Sequence, residues 1–212
     1  MKIVFLDCDG TLTPIKSSWE YIHRRLNLWN DLAEHFQSLF FKGKIDYYEF
    51  CKRDAQLWKG LPLEKVLKII SEIPLTPGAK EMVNAFKQWG LTTGIISTGL
   101  SFLVNRVKDL LCIDFAESNE LLALSGFLTG EIRINVEQNK KDAVVKRILN
   151  ELGIEAEKAI AIGDGIGDIS MFQSVGLPIG FNPDEATIPF LKHYIFSDTL
   201  KDLIPILERY MK

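Results

Sequence analysis

The chain has 212 residues, a formal net charge of −3, 47% hydrophobic residues and 25% charged residues. That length accommodates one α/β core with a modest inserted domain, and the composition is that of a globular chain. The acidic balance gives no electrostatic basis for holding nucleic acid or an anionic membrane surface, and no apolar run reaches bilayer length, so neither partner is expected.

Residues 2–6 are almost continuously apolar, which predicts a strand buried on both faces, as in a parallel sheet. The run stops at Asp7-Cys8-Asp9-Gly10-Thr11. Strand alternation sends Asp7 and Asp9 to one side and Cys8 to the other, where it reads as a small core residue. Two carboxylates at a buried strand end repel each other and resist desolvation, and a divalent cation would relieve both costs. The plainer alternative is a solvated Asp-Gly turn. After Pro14, residues 16–71 carry helical apolar spacing with breaks at Gly43 and Gly60-Leu61-Pro62, predicting an insertion of about four helices. Three of the four tryptophans (Trp19, Trp29 and Trp58) fall in it, most of its aromatics serving its own core and some available to a pocket. Pro74 and Pro77-Gly78 mark the return to the core domain.

Residues 91–96 predict a further strand, ending in Ser97-Thr98-Gly99, and residues 100–111 a helix. A hydroxyl and free backbone N–H groups at such a turn bind phosphate oxygens, or simply cap the helix. Residues 113–115 suggest a strand, and residues 120–136 a hairpin around Ser125-Gly126 with Gly130 in a polar turn. Asn139-Lys140-Lys141-Asp142 opens a helix, where a lysine either balances nearby carboxylates or is merely solvated. Residues 158–162 form another buried strand, ending in Gly163-Asp164-Gly165-Ile166-Gly167-Asp168. This second acidic, glycine-rich turn matches the first, and open α/β sheets place ligands at that end of their strands. Mg²⁺ takes oxygen ligands and needs only one or two carboxylates from each loop. A dinucleotide fingerprint is rejected, because these aspartates would confront a pyrophosphate. Residues 177–181 and 194–196 are expected as edge strands, and 200–210 as a terminal helix. Cys8, Cys51 and Cys112 are odd in number and lack metal-ligand spacing, pointing to a reducing, cytoplasmic setting. Met1 leads straight into a strand, so no signal peptide is expected.

These four pieces, in this order, resemble the haloacid-dehalogenase-like hydrolase superfamily, with its D-x-D-G-T motif, strand-ending serine or threonine, helix-borne lysine and G-D-x-x-x-D motif. The text is most similar to phosphoserine-phosphatase-like members, through Gly163-Asp164-Gly165 with Asp168-Ile169-Ser170-Met171-Phe172, residues 60–66 and Thr76-Pro77-Gly78. The resemblance implies an α/β fold: a Rossmann-like parallel sheet core (residues 1–14 and 76–212) with an inserted all-helical cap (15–75). It implies a Mg²⁺-dependent phosphatase hydrolysing a small phosphomonoester through an aspartyl-phosphate. Asp7 would be the nucleophile, Asp9 the acid and base, and Lys141, preferred over Lys140 on spacing, the charge-balancing lysine. Thr11, Ser97, Thr98 and Gly99 would bind the phosphoryl group. Asp7, Asp9 (through its carbonyl), Asp164 and Asp168 would hold the metal, Asp168 directly or through water. An acid at Asp9 argues against dehalogenation. The sequence departs from the family at Gly167, where asparagine is common, and at the two cap positions that read an amino acid. These hold Lys16 and Asp54 instead of an acid and an arginine, with Glu20 and Arg53 close by. Phosphoserine is therefore not the favoured substrate on this reading. The competing readings are a phosphomutase of the same fold and a phosphoryl-accepting signalling or binding domain.

Overall fold

The computed structural model describes residues 1–29 and 31–211. Seven strands form one sheet in the order β4-β3-β2-β1-β5-β6-β7. They are β1 (Ile3–Leu6), β2 (Thr92–Leu100), β3 (Phe115–Leu124), β4 (Phe127–Arg133), β5 (Ala159–Gly163), β6 (Leu177–Phe181) and β7 (His193–Ile195). Every neighbouring pair is parallel except β3–β4, which is an antiparallel hairpin. The sheet is an α/β fold as expected.

Strand β1 is wholly buried because both of its faces are covered. Val4 and Leu6 pack with α5 (Ala79–Gln88) and α6 (Ser101–Leu111) on one face, through Met82, Val83, Phe86, Leu103 and Val107. Ile3 and Phe5 pack on the other, with Val145, Ile148 and Leu149 of α7 (Lys141–Leu152) and with Met171 and Phe172 of the short α8 (Ile169–Phe172). A strand sandwiched in this way must be apolar at every position, as it is. Cys8 lies in the first of these cores, fully buried.

Between β1 and α5 run four helices: α1 (Ser18–Arg25), α2 (Asp31–Phe41), α3 (Tyr47–Gln56) and α4 (Leu63–Ser71). Ser17 and Asp46 cap α1 and α3 by accepting from the backbone N–H groups of Glu20 and Glu49. The β3–β4 hairpin turns at Ser125-Gly126 and reaches across to these helices. The Gly60 amide donates to the Leu128 carbonyl (2.8 Å), the Leu63 amide to Gly126 (2.9 Å), and the Leu128 amide to Leu61 (2.9 Å). Gln56 Nε2 donates to the Gly130 carbonyl (2.7 Å).

Three expectations are corrected. Gly130 lies inside β4 at φ +80°, not in a turn. Strand β3 begins at Phe115 and runs on to Leu124, longer than the two separate pieces expected. Strand β6 is interior, between β5 and β7, so only β7 of that pair is an edge. The chain ends in a 3-10 turn (Leu200–Leu203) running into α9 (Ile204–Glu208).

Candidate active site

The two acidic turns meet because β1 and β5 are parallel neighbours, in register from Ile3–Ala159 to Leu6–Ile162. The Asp7 amide donates to the Ile162 carbonyl (2.8 Å), carrying the pairing to the first carboxylate. Gly10 adopts φ +86°, and a Cβ there would stand 2.3 Å from Asp164 Oδ2. Left-handed backbone and close approach both require glycine. Gly10→Ala is expected to cost roughly 2 kcal/mol or more in stability, read from denaturant unfolding, since the new methyl meets both strain and a buried carboxylate.

Asp7, Asp164 and Asp168 each offer a carboxylate oxygen within 4.8 Å of the others, and all three are buried. Lys141 Nζ bridges two of them, 2.5 Å from Asp7 Oδ1 and 2.6 Å from Asp168 Oδ1. The adjacent Lys140 points to solvent and pairs with Glu137. Helix α7 starts at Lys141, and its phase turns that side chain inward. Asp168 Oδ2 accepts from the amides of Asp164 and Gly165, both 3.1 Å, so the backbone leading into the 3-10 turn Ile166–Asp168 orients this acid. Burial and the neighbouring Asp168 raise the Asp7 carboxyl, against the pull of Lys141. Burial also raises Asp9, whose Oδ2 accepts from the Ser18 amide (2.6 Å) while Oδ1 has no partner among the described residues.

Ser97, Thr98 and Gly99 fall within the end of β2. The Gly99 amide donates to Ser97 Oγ at 3.0 Å. Asn119, fully buried on β3, braces this segment. Its Nδ2 stands 3.0 Å from the Thr98 carbonyl, 3.0 Å from the Val136 carbonyl and 3.1 Å from the Tyr47 hydroxyl. Its Oδ1 accepts from the amides of Asn135 and Val136. Tyr47 of α3 also donates to the Thr98 carbonyl (3.3 Å). Nothing in the sequence singled out Asn119 or Tyr47, because their partners lie far away along the chain.

A cavity of about 380 Å³ lies between the sheet end and the helical layer. Asp7, Asp9, Ser97, Thr98, Gly99, Lys141, Asp164 and Asp168 all line it. Thr11 does not: its hydroxyl is buried and donates to Asp164 Oδ1 (3.2 Å), so it props a carboxylate rather than facing a ligand. From the helical side come Trp19, Trp29, Phe40, Tyr47, Phe50 and Asp54, among others. Lys16, which stands where the family has a cap acid, pairs with Asp164. Glu20 lines the cavity and pairs with Arg24, whereas Arg53 is turned away onto Glu49 and the Phe36 ring. Burial pushes the Cys51 thiol up to about 12, and the Cys8 thiol also well up, so neither is a nucleophile at neutral pH.

Three hard oxygen donors crowded at a strand end fit a hard divalent cation such as Mg²⁺, and the Lys16 ammonium on Asp164 meets the same demand for positive charge. Burial, helped by Asp168, lifts the Asp164 carboxyl to about 6. Its proton is held more tightly in the folded chain than in the unfolded one, where the group titrates near pH 4. This group therefore favours folding most below about pH 4, and that contribution is lost as pH rises through 6. A cation competes with the proton. Mg²⁺ is thus expected to raise the unfolding temperature more at about pH 7.5 than at about pH 5. A larger shift at the lower pH would refute a metal site built on Asp164.

An α/β sheet with paired acidic strand ends, a buried lysine and a hydroxyl-bearing strand terminus is built for phosphoryl chemistry, and with the likenesses below it makes the chain a phosphoric monoester hydrolase. The chain belongs to the haloacid dehalogenase-like hydrolase family, whose model matches residues 1–176. It is 33% identical over 181 residues to the phosphoserine phosphatase of Methanocaldococcus jannaschii, covering 85% of each chain. It is 35% identical over 208 residues to that of Archaeoglobus fulgidus, covering 98% of this chain and 60% of that one. Among solved structures, a phospho-aspartyl intermediate analogue of phosphoserine phosphatase superposes with a TM-score of 0.84 at 29% identity, covering 97% of this chain and 98% of that one. Among the described residues no helix is long and apolar enough to cross a membrane.

Proposed function

We propose that the chain is a Mg²⁺-dependent phosphatase of small phosphomonoesters working through an aspartyl-phosphate on Asp7. The division into a core of residues 1–14 and 76–212 and a cap of 15–75, and a cytoplasmic setting, belong to the same proposal. The observation that carries it is the placing of two aspartates with different partners in one cavity: Asp7 against the Lys141 ammonium, and Asp9 on the Ser18 amide with its other oxygen free of any partner among the described residues.

Asp7 attacks phosphorus, forming the Oδ–P bond as the ester P–O bond breaks. Asp9 gives its proton to the departing oxygen, which its raised affinity for that proton suits. In the second half Asp9 takes a proton from water as that water attacks phosphorus, the Asp7–phosphorus bond breaks, and inorganic phosphate leaves. Lys141 holds Asp7 in place and balances the charge that accumulates on the phosphoryl oxygens. The Ser97 hydroxyl and Gly99 amide exchange their mutual hydrogen bond for bonds to those oxygens. Asp7, Asp164, Asp168 and the Asp9 carbonyl would hold Mg²⁺. When bound, the ion adds the positive charge that keeps Asp7 ionised and offsets the phosphoryl charge.

The relatives' names lean towards O-phosphoserine as substrate and give no support to the expectation, drawn from Lys16 and Asp54, that it is disfavoured. Phosphoserine is therefore the first ester to test. A phosphate-release screen over phosphomonoesters, with Mg²⁺ and with chelator, decides. Release that needs Mg²⁺ supports the reading. Full turnover in excess chelator refutes the metal, and transfer of phosphate to a second hydroxyl without release makes the protein a phosphomutase.

A further inference from the structure

Asp54 is 3% exposed, yet it forms part of the cavity wall and its Oδ1 has no hydrogen-bond partner among the described residues. Its other oxygen stands 3.5 Å from His23 Nε2, and the Trp58 indole N–H lies within hydrogen-bond reach of both ring nitrogens of His23, 3.1 Å from Nδ1 and 3.0 Å from Nε2. A buried carboxylate oxygen left without a donor is costly, and such a cost is met in the folded protein by a ligand more readily than by nothing at all.

The surroundings say what kind of ligand. Tyr47, Phe50, Cys51 and Asp54 fall at i, i+3, i+4 and i+7 on α3 and all line the cavity. Tyr47 touches Thr98 at the phosphoryl end, so Asp54 lies two turns away, about 10 Å along the helix. The rings of Trp19 and Trp29 line the same cavity, and both contact His23, the residue beside Asp54. Trp29 already carries the Arg24 guanidinium 4.9 Å over its ring, so this wall is one on which a cation is favourably placed. Among the described lining residues the only lysines are Lys16 and Lys141, both paired with carboxylates of the metal cluster, and there is no arginine. The acids on the cap side are Glu20 and Asp54. A leaving group with a carboxylate at that end would find no free cation, whereas an ammonium would find a carboxylate oxygen and aromatic faces.

We propose that Asp54, with the Trp19 and Trp29 rings, is the specificity site for a cationic leaving group, so that the preferred substrates are phosphate esters of amino alcohols whose ammonium lies several bonds from phosphorus. This rests on the phosphatase reading above and deepens it.

The test uses pairs of esters that differ only in charge. The 2-aminoethyl, 3-aminopropyl, 4-aminobutyl and 5-aminopentyl phosphates are each compared with the alkyl phosphate of equal length, n-propyl to n-hexyl, in the presence of Mg²⁺. At the best length the amino ester is expected to have a kcat/KM about 10-fold or more above its neutral isostere, and Asp54→Asn should bring that ratio close to one. A ratio of one or less at every length, or a ratio that Asp54→Asn leaves unchanged, overturns the proposal. If that variant does not fold, competition in the wild-type enzyme decides. The amino alcohol of the best length should inhibit hydrolysis of p-nitrophenyl phosphate competitively where the matching alkanol does not, and equal inhibition overturns the proposal. Hydrolysis of p-nitrophenyl phosphate without any preference for charge means that this inference alone has failed. No phosphate release from any ester means that the phosphatase reading has failed and this one with it.

Discussion

Asp7→Asn is expected to lower phosphate release by on the order of 10⁴-fold or more, the scale on which removing a covalent nucleophile acts. The amide keeps the shape of the carboxylate but cannot form the phosphorus–oxygen bond, so no neighbouring group can supply the step. Lys141 keeps its second partner, Asp168, at 2.6 Å, so the variant should unfold as cooperatively as the wild type. Two measurements separate loss of chemistry from loss of fold. Wild-type enzyme quenched in acid during turnover of a phosphorus-labelled ester should carry label that hydroxylamine removes. Asp7→Asn should carry none while giving a normal unfolding transition. Activity near that of the wild type in this variant would end the covalent mechanism.

Lys141→Met is expected to damage stability and turnover together. Lys141 is 2% exposed and is the shared partner of Asp7 and Asp168. Removing one member of a buried ion cluster leaves the rest uncompensated, at a cost of about 3–5 kcal/mol. The loss should be largest near neutral pH without Mg²⁺. It should shrink as pH falls, because Asp7, whose carboxyl burial raises, takes up a proton and loses the charge that Lys141 had balanced. Added Mg²⁺ should recover part of it. The neighbouring Lys140→Met is the internal control. Lys140 is exposed and its side chain pairs with the surface residue Glu137, so that variant should keep the unfolding temperature and turnover of the wild type. Equal effects from the two substitutions would mean that the buried lysine carries no special charge.

The residues legible in the sequence were those fixed by strand ends. Asp7 and Asp164 follow apolar runs too short and too uniformly buried to be anything but central strands, and two such strands side by side force their turns together. The choice between Lys140 and Lys141 was not legible from the residues, because both stand at the very start of a helix, where no earlier turn sets the phase. Thr11 was placed in the motif correctly but given the wrong neighbour, since a motif shows adjacency along the chain and not which way a hydroxyl points. Asn119 and Tyr47 left no trace. Each is an ordinary residue in its own segment, and its contacts with Thr98 and Val136 exist only once β2, β3 and α3 have assembled. The interior place of β6 was hidden for the same reason, as strand order is a property of the assembled sheet.

The contact between the β3–β4 hairpin and the segment joining α3 to α4 bears on how the enzyme breathes. Two covalent connections alone, before α1 and after α4, would let the helical layer swing as a unit. The backbone bonds of Gly60, Leu61 and Leu63 to the hairpin add a non-covalent attachment between α3 and α4. Together with Tyr47 on Thr98 and Gln56 on Gly130, these bonds tie α3 at both of its ends, so α3 and its Asp54 are expected to keep a fixed station over the sheet. Beside that fixed helix, α2 brings Phe41 to the cavity wall, where the ring is exposed to solvent and forms part of the mouth that a substrate meets first.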